Sequence, residues 1–254
     1  MTVDISKDER VAIIAINRPQ VRNAVNESTA IALCKAFEDF DVDDNLDVAI
    51  LYGTQGTFCA GADLKAVAEG GGNKVRPEGR GPMGPTRLHL SKPVIAAVEG
   101  YAVAGGLELA LWCDMRVASR DAVFGVFCRR WGVPLIDGGT LRLPRLIGQS
   151  HAMDLILTGR GVSGDEALSM GLANRITDNG AALSTAIALA KQLSAFPQVC
   201  LRADRRSVYD QWGLSESAAI TNETVKGIAV LKSGETERGA SRFAKGAGRH
   251  GEFQ

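Results

Sequence analysis

Cysteine and histidine are scarce in these 254 residues, and neither is spaced for a metal or for a disulfide framework. The five cysteines, Cys34, Cys59, Cys113, Cys128 and Cys200, are odd in number and contain no C-x-x-C, so they read mostly as small buried apolar residues. His89, His151 and His250 lie far apart with no H-E-x-x-H, and no metal site is expected. Neither sign of charge is in excess: 29 Lys and Arg balance 29 Asp and Glu, and no basic block forms a stripe. That balance argues against a nucleic-acid or a membrane surface and leaves small-molecule chemistry as the better expectation. Long apolar runs are missing too. The opening MTVDISKDERVAIIAINRP is charged with one short apolar stretch, which fits an edge strand rather than a signal peptide or a membrane span, and a cytoplasmic location is expected. There is no G-x-x-x-x-G-K-[ST], and no G-x-G-x-x-G follows a strand, so no nucleotide cofactor is expected.

What is present is apolar content of 45%, enough for a sizeable core in one large domain or in one domain with an appendage. Residues 11–16 (VAIIAI) and 47–52 (DVAILY) are β-rich runs separated by a helical pattern around 27–40, and a third run, 93–98 (PVIAAV), precedes a further helix. This order of strand, turn and helix points to an α/β fold with largely parallel pairing. Between the second and third runs, residues 69–86 (EGGGNKVRPEGRGPMGPT) are too rich in Gly and Pro for regular structure and read as a mobile loop beside the site or as a plain connection. From about Ala181 the pattern turns helical: residues 181–196, a helix after Pro197, residues 214–231, and a last helix through Phe243. Several of these are apolar on more than one face, as in SAAITNETVKGIAVL, which suggests burial against another subunit.

Two small-residue turns carry the chemistry. GTFCAGADLKA, residues 56–66, places a turn after the second strand and before a helix beginning near Asp63. Gly105-Gly106 repeats that arrangement within GYAVAGGLELALWCD, residues 100–114. Free N–H groups at helix starts attract a negative oxygen, and two aimed at one point would make an oxyanion hole; tight strand-to-helix packing is the alternative reading of each turn. Glu108 stands one helical turn after Gly105, between Leu107 and Leu109. Burying a carboxylate costs several kcal/mol unless it is paired or protonated, so an acid in this position points to proton transfer beside the oxyanion hole.

NRPQVRNAVN, FCAGADL, KPVIAAVEGYAVAGGLELALWCD and GGTLRLPRLIG, in this order, resemble the crotonase (enoyl-CoA hydratase/isomerase) superfamily over essentially the whole chain. The resemblance implies a β-β-α spiral over residues 1–195 with the acyl-CoA site, and a helical trimerisation region over 196–254. It further implies a homotrimer or dimer of trimers, and a coenzyme A thioester as substrate with no permanently bound cofactor. Carried onto this sequence, the oxyanion-hole N–H groups are those of Ala62 and Gly105. Ala60 and its neighbours, Asp63 and Leu64 among them, line the CoA site, and Arg22 lies in the loop that touches the CoA phosphates. Glu108 matches the first catalytic glutamate of the hydratases. The second falls on Cys128, and a thiol with an ordinary pKa near ~8.5 cannot readily replace a carboxylic acid in proton delivery.

Three readings of the neighbourhood follow. Asp137, within one residue of a catalytic aspartate in other branches of the superfamily, is either the compensating acid or the N-cap of a helix from Gly138-Gly139 to Leu146. Arg129, Arg130 and Trp131 fall where the acyl pocket should be lined; the arginines would pair with a substrate carboxylate, with Glu108, or with nothing but solvent. Cys128 is either an inert packed thiol or a nucleophile whose pKa Arg129 lowers. The expected activity is that of an enoyl-CoA hydratase-like enzyme. An isomerase, a hydrolase or decarboxylase using one acid, and a non-catalytic acyl-CoA-binding protein remain alternatives.

Overall fold

The computed structural model describes residues 1–248; the last six residues of the expected C-terminal region, His250 among them, lie outside it. The chain divides into two compact units, Met1–Leu193 and a second beginning at Ser194.

In the first unit the elements run β1 (Val3–Asp8), β2 (Val11–Ile16), α1 (Glu27–Val42), β3 (Val48–Gly53), α2 (Leu64–Ala68), β4 (Val94–Val98), β5 (Tyr101–Val103) and α3 (Gly105–Trp112). They continue with β6 (Met115–Ser119), β7 (Val123–Gly125), α4 (Gly139–Thr158), β8 (Gly161–Ser163), α5 (Gly164–Ser169), β9 (Arg175–Thr177) and α6 (Ala182–Ser194). Six strands form one sheet in the order β1-β2-β3-β4-β6-β9, and three form another, β5-β7-β8. β1 pairs antiparallel at the edge, as its charged sequence suggests, and every other neighbour in the large sheet is parallel.

The near-continuous apolar character of β2, β3 and β4 follows from burial on both faces. Successive side chains alternate, so Ile14, Leu51 and Ala96 enter one core with α1 and α3, while Val11, Ile50 and Ile95 enter a second. Ala182, Ala186, Leu189 and Ala190 of α6 close that second core at helical spacing. α1 starts where Asn26 accepts a hydrogen bond from Thr29 N (3.1 Å), and its Phe37 ring meets Trp112 of α3 edge-on with 4.8 Å between centroids. α4 outruns the expected end at Leu146: it reaches Thr158 across a break at Gly148, whose backbone (φ 76°, ψ 158°) is not helical.

The second unit is a helical hairpin with a cap. α7 (Gln198–Asp210) and α8 (Glu216–Lys232) are joined by the Lys226–Asp210 ion pair (3.0 Å). Glu235, opening α9 (Glu235–Ala244), accepts from the N–H groups of Val199 and Cys200 at the start of α7 (3.1 and 2.9 Å). Val208, Tyr209, Trp212, Ile220, Ile228 and Leu231 of this unit are exposed. Among the described residues, no helix is long and apolar enough to cross a membrane, and no cluster of His, Cys, Asp and Glu could hold a metal ion.

Candidate active site

The turn between β3 and α2 meets the turn between β5 and α3, and glycine permits the approach. A Cβ on Gly61, whose φ is +97°, would lie 2.9 Å from the Ala104 Cβ and 3.0 Å from Gly105 N; one on Gly106 would lie 2.1 Å from the Cys59 carbonyl oxygen. Most backbone N–H groups here are committed: Cys59 N to Tyr101 O, Ala60 N to Arg22 O, Gly61 N to Cys59 Sγ, Asp63 N to Val25 O, Val103 N to Cys59 O and Ala104 N to Gly125 O. Ala62 N and Gly105 N have no acceptor among the described residues. The Gly105 N–H is one of the orphan donors at the start of α3. Ala104 before it holds φ 53° and ψ −126°, a strained conformation for an L residue, and such strain persists where the surrounding fold enforces it.

Glu108 lies in the first turn of α3 and is 2% exposed. Its Oε1 accepts hydrogen bonds from Asp137 N (2.9 Å) and Gly139 N (2.8 Å), so a carboxylate from one helix caps the N-terminus of the next. Burial, reinforced by the charge of Asp137, pushes Glu108 up to about 7, against the pull of those two N–H donors and of Arg142. Asp137 is 3% exposed and is also raised by burial, while the Thr86 hydroxyl, the Met83 N–H, Arg87 and Arg142 hold it down.

The N-cap reading of Asp137 is corrected: Gly138 is the cap residue of α4, with no side-chain cap, and Glu108 takes that role in space. The Asp137 side chain turns instead to the 81–87 segment, where Oδ1 accepts from Met83 N (3.0 Å) and from the Thr86 hydroxyl. Arg142 locks the arrangement by donating to the carbonyls of Asp137 (2.9 Å) and Thr86 (2.7 Å).

These groups open onto one cavity of about 570 Å³. Ala60, Ala62, Leu64, Gly105, Glu108, Cys128, Trp131 and Asp137 all line it, as do Asn73, Val75, Pro82 and Met83 of the Gly/Pro-rich loop. That loop has no regular element between Ala68 and Pro85 and is tied down by Asn73 to the carbonyls of Val25 and Pro82, and by Arg80 to Glu27 (2.6 Å).

Two expected residues are not in the lining. Asp63 caps α2 through Ala66 N (3.3 Å) and pairs with Arg18 (3.0 Å). Arg22 is exposed, in a left-handed conformation (φ 54°), and its carbonyl accepts from Ala60 N.

For Cys128 the surroundings favour the packed, inert thiol over the nucleophile. Burial first and the charge of Glu108 second push its thiol up, outweighing Arg129. Arg129 donates to the Ile156 carbonyl, and Arg130 to that of Gly159 while its guanidinium lies 4.0 Å from the Phe127 ring centroid; neither lines the cavity. Sequence reasoning missed Met83, Thr86 and Arg142. The only signal for the first two was the Gly and Pro density of 81–85, which marks tight turns without saying what they face.

The sequence model of the enoyl-CoA hydratase/isomerase family matches residues 6–246. Enoyl-CoA hydratase EchA19 of Mycobacterium tuberculosis is 36% identical over 244 residues, covering 92% of this chain and 90% of that protein. The 2,3-dehydroadipyl-CoA hydratase of Escherichia coli is 30% identical over 239 residues, 94% of each chain. In three dimensions the chain is similar to an enoyl-CoA hydratase from Mycobacterium tuberculosis H37Rv, with a TM-score of 0.91 and 41% identity over 96% of both chains. The expected α/β crotonase-like fold is borne out by that likeness.

Proposed function

This chain belongs to the enoyl-CoA hydratase/isomerase family, and from that premise we propose that it adds water across the C2–C3 double bond of a trans-2-enoyl-CoA, with Glu108 and Asp137 as the acid/base pair. The observation that carries the reading is that two buried carboxyls share one cavity with the two unbonded N–H groups of Ala62 and Gly105.

The thioester oxygen sits between the Ala62 and Gly105 N–H groups. Glu108, as carboxylate, takes a proton from water as the water oxygen bonds to C3; the π electrons move toward the thioester oxygen, and the two N–H dipoles stabilise the enolate. Asp137, as the acid, delivers a proton to C2, the enolate collapses, and proton exchange with solvent resets the pair. Burial raises both carboxyls, Glu108 to about 7 and Asp137 above its ordinary value, which brings Glu108 into the range where it can both take and release a proton near neutrality. Asp137 thereby supplies the second acid that Cys128 does not, and these steps use no group beyond this chain, its CoA thioester substrate and water.

Residues 1–195 form the catalytic core in this reading. The helical region from 196 assembles a homotrimer or dimer of trimers, which would cover its exposed apolar side chains. Five free cysteines fit a reducing compartment such as the cytoplasm. The test is incubation with a short trans-2-enoyl-CoA, following loss of the conjugated thioester absorbance and weighing the product. Gain of one water that depends on both Glu108 and Asp137 supports the proposal. A product of unchanged mass makes the enzyme an isomerase, and release of free CoA makes it a hydrolase.

A further inference from the structure

Apart from the two acids and Asn73, the side chains lining the cavity are apolar but for the Cys128 thiol and the Trp131 indole N–H; Phe127, Cys128, Trp131, Val133 and Ile136, close to Asp137 in the chain, are among them. No Lys, Arg or His is among the residues lining the cavity, and Arg129 and Arg130, between Cys128 and Trp131, are committed to the carbonyls of Ile156 and Gly159. A carboxylate carried into this space would meet two buried acids and no cation in the lining, Arg142 being committed by hydrogen bonds to the carbonyls of Asp137 and Thr86, an arrangement that disfavours it.

The rim is apolar as well. Trp131 is 73% exposed, Val75 62%, Val67 49% and Leu64 43%, four large apolar side chains bordering the same cavity. An exposed apolar patch continuous with a cavity marks a surface that a ligand covers. A four-carbon acyl group has a single carbon beyond its C2–C3 bond to set against these side chains, and a larger one has more apolar surface to bury against them.

We infer that the acyl group this site takes is bulky, uncharged and apolar, a ring or a long or branched chain lying along Trp131, Val133 and Ile136, and that a terminal carboxylate is rejected. The inference rests on the thioester oxygen sitting at Ala62 and Gly105.

The test is kcat/KM of the full chain for trans-2-butenoyl-CoA, trans-2-dodecenoyl-CoA and 3-cyclohexylacryloyl-CoA, and for trans-2-hexenoyl-CoA beside its ω-carboxylated six-carbon counterpart. The two bulky substrates are expected to exceed butenoyl-CoA by at least about tenfold, and the carboxylated one to fall at least about tenfold below hexenoyl-CoA. Trp131→Ala is expected to cut the ratio of dodecenoyl to butenoyl by about tenfold. Equal or better use of butenoyl-CoA, or free acceptance of the carboxylate, overturns the inference. Calorimetric binding of the saturated dodecanoyl-, butanoyl- and adipoyl-CoA separates the two levels of the account. The same ranking without turnover of any enoyl-CoA sinks the hydratase reading and keeps the apolar preference, whereas a lost ranking sinks the preference whatever the reaction.

Discussion

Two groups of residues lining the cavity hold their places by different means. In the first, catalytic group position is set by backbone: Ala62 and Gly105 offer N–H groups, Gly61 and Gly106 allow the turns to touch, and Glu108 is fixed by the N–H groups of Asp137 and Gly139. In the second group Cys128, Trp131, Val133 and Ile136 contribute side-chain volume, with the Cys128 thiol and the Trp131 indole N–H as their only polar side-chain atoms. Backbone geometry tolerates little change, whereas a wall of side chains can be resized one residue at a time. In the proposed reading the reaction belongs to the first group and the choice of acyl group to the second.

Glu108→Gln is the hardest blow to the catalytic group. It is expected to lower kcat by about 10²- to 10⁴-fold with little change in the affinity for a saturated acyl-CoA, measured by steady-state kinetics beside calorimetry. Gly61→Ala adds only a methyl group, yet it places a Cβ against Ala104 and Gly105 N at a φ of +97°. A kcat loss of about 10²-fold is expected, the scale of one misplaced oxyanion donor, and wild-type kcat in a folded variant would refute the role of that contact.

The pH dependence sharpens the comparison further. Activity should fall as pH drops through about 7, where Glu108 gains the proton that disables it as a base. In Asp137→Asn the residual activity should have this acid limb at lower pH, because the charge that helps raise Glu108 is gone. Stability carries the same signature with opposite sense. A carboxylate raised on folding costs nothing below its unfolded pKa, and its penalty grows between the ordinary range near ~4.3 and about 7. Glu108→Gln should therefore gain on the order of 2–3 kcal/mol relative to the parent at pH 8 and little at pH 4, as read by chemical denaturation at both values.

The smallest effect is expected from Arg129→Ala and Arg130→Ala, both outside the lining, which should leave kcat/KM within about twofold. A tenfold loss would put the arginine pair back into the site.

Local pattern carried much of this into the sequence. The runs at 11–16, 47–52 and 93–98 appear as β2, β3 and β4 within a residue or so, because strands buried on both faces are uniformly apolar. The small-residue turns before Asp63 and Gly105 were legible because helix starts have their own residue preferences, and the burial of Glu108 followed from its apolar neighbours. What stayed hidden depends on partners far along the chain. Asp137 answers to Met83 and Thr86, more than fifty residues earlier, and α4 is capped by Glu108. Asp63 looked like a ligand contact because it opens a helix at the site; its pairing with Arg18, 45 residues away, turns it elsewhere. Arg129 and Arg130 sit in a 3-10 turn, Phe127–Trp131, whose outward side only the fold defines.

The most direct measurement is the reaction of a trans-2-enoyl-CoA in 18O-labelled water, with product weighed for the parent, Glu108→Gln and Asp137→Asn. The account predicts a product heavier by one labelled water from the parent, formed at least about a hundredfold more slowly by each variant. Labelled product formed at the parent's rate without either acid, or substrate consumed with its mass unchanged, would contradict it.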